Sequence, residues 1–267
     1  FILSSKANYG SFKVKKTKIF LSAVTKHQKE HSKERFNGFL KDYLEILELN
    51  LDVSALAHKR LYDAITKHGI TRMQDDDTRC RKLFNAEPLR TYDYFQDSFF
   101  GMEQSLNKVM RFLHSAAMKG EESRQVLLLL GPVGAGKSAL VEHIKRALEA
   151  AEGVYHIADC PIREEPLHLI PRGLREEFEE VYGVKIEGDL CPVCRHNLLE
   201  DYDGDYTKVP ITTSSFSIRG RRGIGVVPPM DPNTQDSSIL IGSEDISKLD
   251  LYPEDDPRVL SLNGAFN

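Results

Sequence analysis

What this sequence lacks narrows its reading first. Nowhere in its 267 residues does an apolar run approach the ~20 residues that a membrane-spanning helix needs. The opening stretch, "FILSSKANYGSFKVKKTKIFL", is too short and too interrupted by Lys and Ser for a signal sequence or a span. Four cysteines are too few for a disulfide scaffold in a chain of this size, so a reducing cytoplasm is the expected setting. A formal charge of −4 gives no reason to expect nucleic acid as a partner. Internal repeats and low-complexity tracts are absent. The chain opens on Phe1 rather than Met and reads as part of a longer protein. What remains is an ordinary globular balance, 40% hydrophobic and 28% charged, sufficient for one large domain with a helical extension.

Three regions follow from the patterning. Residues 1–35 are basic and weakly patterned, and read as a solvated, mobile leader. Residues 36–90 read as a helical extension. There Phe36, Phe39, Leu40, Tyr43, Leu44, Leu47 and Leu51 recur at spacings of three and four, and a second helix runs to a stop at Gly69. Residues 91–267 alternate helix and strand. A helix spans "GMEQSLNKVMRFLHSAAMKG", Val126–Leu130 is a short apolar run of the kind found in a covered parallel strand, and Ser138–Ala151 is a helix. "VYHIAD" at 154–159 is the next strand. The order predicts an α/β fold, a doubly wound parallel sheet flanked by helices.

The break between strand and helix carries the chemistry. Gly131, Pro132, Val133, Gly134, Ala135, Gly136, Lys137 and Ser138 satisfy G-x-x-x-x-G-K-[ST], and Ala139 continues into the helix. Glycines let successive main-chain N–H groups converge on an anion, and the helix directs its positive end to the same point. Lys137 adds a cation for the β- and γ-phosphates and is the expected catalytic residue; the Ser138 hydroxyl is placed to ligate Mg²⁺. The bland alternative is a merely tight turn, but the flanking strand and helix favour a P-loop that binds ATP and Mg²⁺. Upstream, Phe99, Phe100 and Gly101 offer a flat apolar contact for adenine; core packing is the competing reading.

Other nucleotide classes lack their signatures. An N-K-x-D guanine motif is missing, as are the H-R-D and D-F-G of a bilobal protein kinase. Instead, "YDYFQDSFFGMEQSLNKVMRFLHSAAMKGEESRQVLLLLGPVGAGKSALVEHIKRALE" resembles the N-terminal AAA+ ATPase domain of the bacterial PrkA serine protein kinase family. "KDYLEIL", "ALAHKRLYDAI", "PLHLIP", "DLCPVCR", "GIGVVPPMDPNTQD" and "IGSEDISKL" agree in order, so the resemblance covers about residues 36 to 267. It implies an AAA+ P-loop core with ATP and Mg²⁺, a protein substrate phosphorylated on serine or threonine, and homo-oligomers built through the AAA+ domain. ATP-driven remodelling or proteolysis, or a nucleotide-gated interaction module, are the alternatives. The resemblance also implies that Walker B, sensor residues and arginine finger lie further along such a protein. The nearest local candidate, "SSILIGSED", is interrupted by Gly242 and Ser243.

A knuckle at about 188–207 holds Cys191 and Cys194, half the spacing of a zinc site. No second C-x-x-C exists. Cys160, His156, His168 or His196 are candidates to complete a Zn²⁺ set, and a reduced structural pair or a redox pair remain open. Cys80 reads as a lone buried thiol, and Arg219, Arg221 and Arg222 as a solvated loop.

Overall fold

The computed structural model of the protein describes residues 20–22, 24–25, 36–73, 89–227, 237–253 and 256–266. Most of the basic leader, Cys80 and the acids at 75–77 lie outside the described residues. Helices form where apolar side chains recur at three and four residues. In chain order they are α1 (Leu40–Leu49), α2 (Ala57–Thr66), α3 (Asp93–Gln96), α4 (Glu103–Ala117), α5 (Lys137–Glu149), α6 (Arg175–Tyr182), α7 (Pro192–Glu200) and α8 (Ser238–Ile241). Their ends follow local chemistry. Asp42 accepts the Phe39 N–H at 2.7 Å at the positive end of α1, and α6 stops at Gly183 in the left-handed conformation. Among the described residues no helix is long and apolar enough to cross a membrane.

The strands are short: β1 (Asn37–Gly38), β2 (Ile70–Arg72), β3 (Arg90–Tyr92), β4 (Val154–Ile157), β5 (Ile211–Ser214), β6 (Ser243–Glu244) and β7 (Leu260–Ser261). They make three small sheets, ordered β1-β5-β4, β2-β3 and β6-β7. Every one of these pairings is antiparallel, with His156 opposite Thr212 in the β4–β5 ladder. This corrects the expected doubly wound parallel sheet. "VYH" does form a strand, but its neighbour is the distant β5, running the other way. Val126–Leu130 is not a strand at all. It runs as open backbone with Val126 91%, Leu128 72% and Leu130 84% exposed. The physical reason is that strands exist only as ladders, and no described strand lies alongside this run.

Two apolar cores organise the rest. In the first, Leu40, Tyr43 and Leu47 of α1 pack with Ile157 of β4, Ile211 of β5, Phe178 of α6, and Leu167 and Leu169 of the turn at Pro166–Leu169. Tyr43 and Leu47 are fully buried. In the second, Ala64 and Ile65 of α2 meet Leu106, Val109, Met110 and Leu113 of α4, with Leu140 and Ala147 of α5. The helices of residues 36–90 are thus shared between the cores: α1 serves the first and α2 the second.

Candidate functional site

The glycine-rich loop sits at the start of α5, on the second core. Gly134 and Gly136 both adopt left-handed backbone, at φ +81° and +77°. A side chain at either position would be strained, so glycine is what lets the chain fold back on itself here. Gly136 caps α5, and its carbonyl accepts the Leu140 N–H at 2.9 Å. The first N–H groups of a helix have no carbonyl behind them in the helix, so those of Lys137, Ser138 and Ala139 face the loop end. Lys137 Nζ folds back over the loop and donates to the carbonyls of Gly131 at 2.7 Å and Pro132 at 2.6 Å. The cation therefore lies against the same turn as the main-chain donors. Ser138 and Ala139 are exposed, as are Gly131 through Gly134.

The aromatic-aromatic-glycine stretch lies against this loop, but its members separate. Phe99 is buried, with its ring edge-on to Phe95 at 5.8 Å and to His143 of α5 at 5.1 Å. Phe100 points outward at 81% exposure, and Gly101 is left-handed at φ +72°. A Cβ at Gly136 would stand 3.4 Å from Met102 Sδ and 3.9 Å from Phe99 Cε1. Phe99 and Met102 therefore form the floor under the last turn of the loop. Tyr94 strengthens the same contact by donating its hydroxyl to the His143 carbonyl at 2.8 Å. The hydrophobic side of this constellation positions α5; Phe100 alone presents an open ring.

Two cavities lie away from the loop. One of about 590 Å³ is lined by Tyr62, Arg90, Asn107, His114 and neighbours. The other, of about 860 Å³, is lined by Arg163, Phe216, Arg221 and Arg222 among others. The arginine-rich loop is therefore built into a concavity. Its turn is closed by paired main-chain bonds between Ser217 and Arg222, each 3.0 Å. "SSILIGSED", the nearest resemblance to a Walker B strand, is one turn of helix (α8) and the two-residue β6.

The knuckle is more ordered than its sequence suggests. Pro192 opens α7, and the Cys191 sulfur caps it by accepting the Cys194 N–H at 3.3 Å. Cys160 arrives from the turn after β4, where Asp159 and Arg163 are both left-handed and wrap the chain around the sulfur. Cys160 Sγ accepts the Glu164 N–H at 3.4 Å. Ligand atoms of Cys160, Glu164, Cys191 and Cys194 all lie within 4.8 Å of one another, and all four residues are buried. Glu164 Oε1 and Oε2 accept the Cys191 N–H at 2.8 and 3.0 Å, and Oε1 also meets His168 Nδ1 at 3.0 Å. Crowding couples the three thiols so that ionisation of one opposes ionisation of the others. Hydrogen bonds from Cys191 and Cys194 hold the Cys160 thiol well below its ordinary range, while Cys191 and Cys194 are pushed above theirs.

Of the residues that sequence offered to complete the pair, the structure brings in Cys160. His156 is buried apart from the cluster with Nδ1 on the Ile157 carbonyl, His168 touches only through Glu164, and His196 does not join. Glu164 was missed. Its signal was a repeated Cys-Pro dipeptide, Cys160-Pro161 and Cys191-Pro192, each followed by a potential ligand three or four residues on.

Comparison with known families gives the class, an AAA protein. Residues 38–267 match the family described as PrkA AAA domain, and the chain belongs to that family. It is 37% identical over 254 residues to a protein of Bacillus subtilis (strain 168) named "ATP-dependent protease PrkA". That alignment takes in 92% of this chain and 38% of the relative. A protein of Escherichia coli (strain K12) named "Serine/threonine kinase YeaG" is 30% identical over 251 residues, across 88% of this chain and 38% of its own. The chain therefore spans 38% of the length of these curated relatives. No solved structure matches it.

Proposed function

We propose that this chain is the ATP-binding part of an ATP-driven protein that acts on other proteins, with Mg–ATP held by Gly131–Ala139. The observation that carries this reading is the loop itself. Two left-handed glycines turn the main chain at the head of α5, and Lys137 Nζ already lies over the turn. The residues fit a triphosphate. The N–H groups of the turn and first helical residues would hold its oxygens, and Lys137 would exchange its carbonyl partners for β- and γ-oxygens. Ser138 would hold Mg²⁺, and Phe100, with Gly101 beside it, would seat the base. When bound, ATP supplies the energy of its terminal phosphoanhydride; the loop supplies charge neutralisation and position.

The names of the relatives support two finer readings. The family resemblance favours phosphorylation of serine or threonine in a protein substrate. The relative with 37% identity favours ATP-dependent proteolysis. Both require the same nucleotide loop. Lys137→Ala removes a charge-assisted donor, so ATP affinity by calorimetry should fall roughly tenfold to a hundredfold or more. Unchanged affinity refutes the site. With the longer protein, transfer of labelled γ-phosphate to a protein substrate, set against ATP-dependent loss of that substrate, separates kinase from protease.

A further inference from the structure

We propose that Cys160, Cys191, Cys194 and Glu164 form a structural zinc site. Three sulfurs and a carboxylate complete the four ligands that zinc takes in a closed, tetrahedral site. Their donor atoms already lie within 4.8 Å of one another in the dry interior of the first core. The set draws on two chain segments, the turn after β4 and the start of α7. Each segment presents its cysteine in the same manner, as a Cys-Pro turn whose own main-chain N–H points at the sulfur. Such amide donors favour thiolate over thiol, the form in which cysteine binds metal.

Competing explanations account for less. Three cysteines as small apolar residues explain the burial of the sulfurs but not Glu164. Glu164 is only 5% exposed, and His168 at 3.0 Å meets one edge of its carboxylate, which does not account for the buried charge standing beside three sulfurs. A Cys191–Cys194 disulfide would use two sulfurs and leave Cys160 and Glu164 outside the bond. A divalent metal engages all four at once. The majority of thiolates selects a borderline-soft ion over Mg²⁺ or Ca²⁺, which take oxygen ligands. Enclosure leaves no open coordination position, so the site is structural rather than catalytic.

The surroundings orient the one oxygen ligand. The Cys191 N–H and His168 both hold the Glu164 carboxylate, and His168 is itself fixed by Nε2 on the Glu187 carbonyl at 2.9 Å. Metal ligands are commonly held in this way by outer partners. His168 is a positioning residue here. The ion would lock the β4–β5 sheet to α7 and so shut the first core. The cluster shares no residue with the glycine-rich loop.

The test uses the whole chain, purified without chelator and without a metal-affinity step. Elemental analysis should find about one zinc per chain, and the three thiols should resist modification until zinc is removed. Replacement by Co²⁺ should give sulfur-to-metal charge transfer and intense tetrahedral d–d bands. Glu164→Ala should shift the d–d bands while leaving charge transfer in place, and Cys191→Ser should weaken charge transfer. Negligible zinc with three freely reactive thiols, or a mass showing a disulfide, overturns the site. A cobalt spectrum unchanged in Glu164→Ala removes that residue from the ligand set. Where Cys191→Ser fails to fold, the metal content and cobalt spectrum of the unaltered chain still decide.

Discussion

The two cores of this chain are built from the same kinds of side chain and leave opposite things open. The first is closed: Tyr43 and Leu47 are fully buried, and the cysteine cluster lies inside it. The second carries the glycine-rich loop on its surface and runs into Val126–Leu130, where Leu129 packs against the core while Val126, Leu128 and Leu130 face outward. An apolar run is therefore not a core by itself. It becomes one only when another element lies against it, and the partner can be remote in sequence.

Truncation at matched leucines gives the widest separation between the cores. Leu47→Ala removes a fully buried side chain and should cost about 2–5 kcal/mol in urea unfolding of this chain. Leu128→Ala, at 72% exposure, should stay within about 0.5 kcal/mol. In a longer protein containing this chain, the Leu128 substitution should rise to a core-sized loss if further strands cover the run. A negligible effect there would mean that the run stays open in the longer protein as well.

That contrast also marks what the sequence could tell. Helices α1, α2, α4 and α5 were legible because their apolar spacing is a local property of the chain. The loop was legible for the same reason, since its glycines and Lys137 sit within eight residues of sequence. Strand β4 was legible as a strand but not as an antiparallel partner of β5, because ladder partners are chosen across long separations. The knuckle read as turns, yet Pro192 and the capping Cys191 sulfur start a helix there. Cys160 was legible only as one of several options, and Glu164 not at all. A carboxylate 27 residues from its Cys191 partner carries no periodic signal, and only the fold around β4 brings it in.

A finer probe of the open core is its backbone. Gly136→Ala places a Cβ 3.4 Å from Met102 Sδ at φ +77°, and should cost about 1–2 kcal/mol for the left-handed residue. Gly134→Ala has a similar φ of +81° but meets nothing within 4 Å, so it should show the conformational cost alone. Thermal melts should rank Gly136→Ala below Gly134→Ala. Calorimetry with ATP should show both losing affinity, because each distorts the main-chain donors. If both variants bind ATP as the unaltered chain does, the loop is a turn and nothing more.

The smallest effect lies on the polar rim of the closed core. Asp189, at the start of the knuckle, pairs with Arg172 and with Arg175 Nη2 at 3.1 Å, tying that segment to the start of α6. The Arg172 guanidinium holds the Asp189 carboxyl at about 2, below its ordinary value of 3.8. A carboxyl depressed on folding adds stability above its unfolded value, and that share is lost as pH falls through the folded one. The contribution of Asp189 should therefore be present at pH 5 and drain away between about pH 4 and pH 2. Asp256 is depressed in the same way by Arg258, and Asp205, Asp245 and Glu122 are lowered by their own hydrogen bonds, so the raw acid curve of the chain mixes several groups. The difference between the chain and Asp189→Asn isolates the pair: a lower urea midpoint for the variant at pH 5, converging near pH 2. Added salt should shrink the gap at pH 5, because the pair is solvent-facing. A gap that persists at pH 2 would mean Asp189 acts through packing, with its charge playing no part.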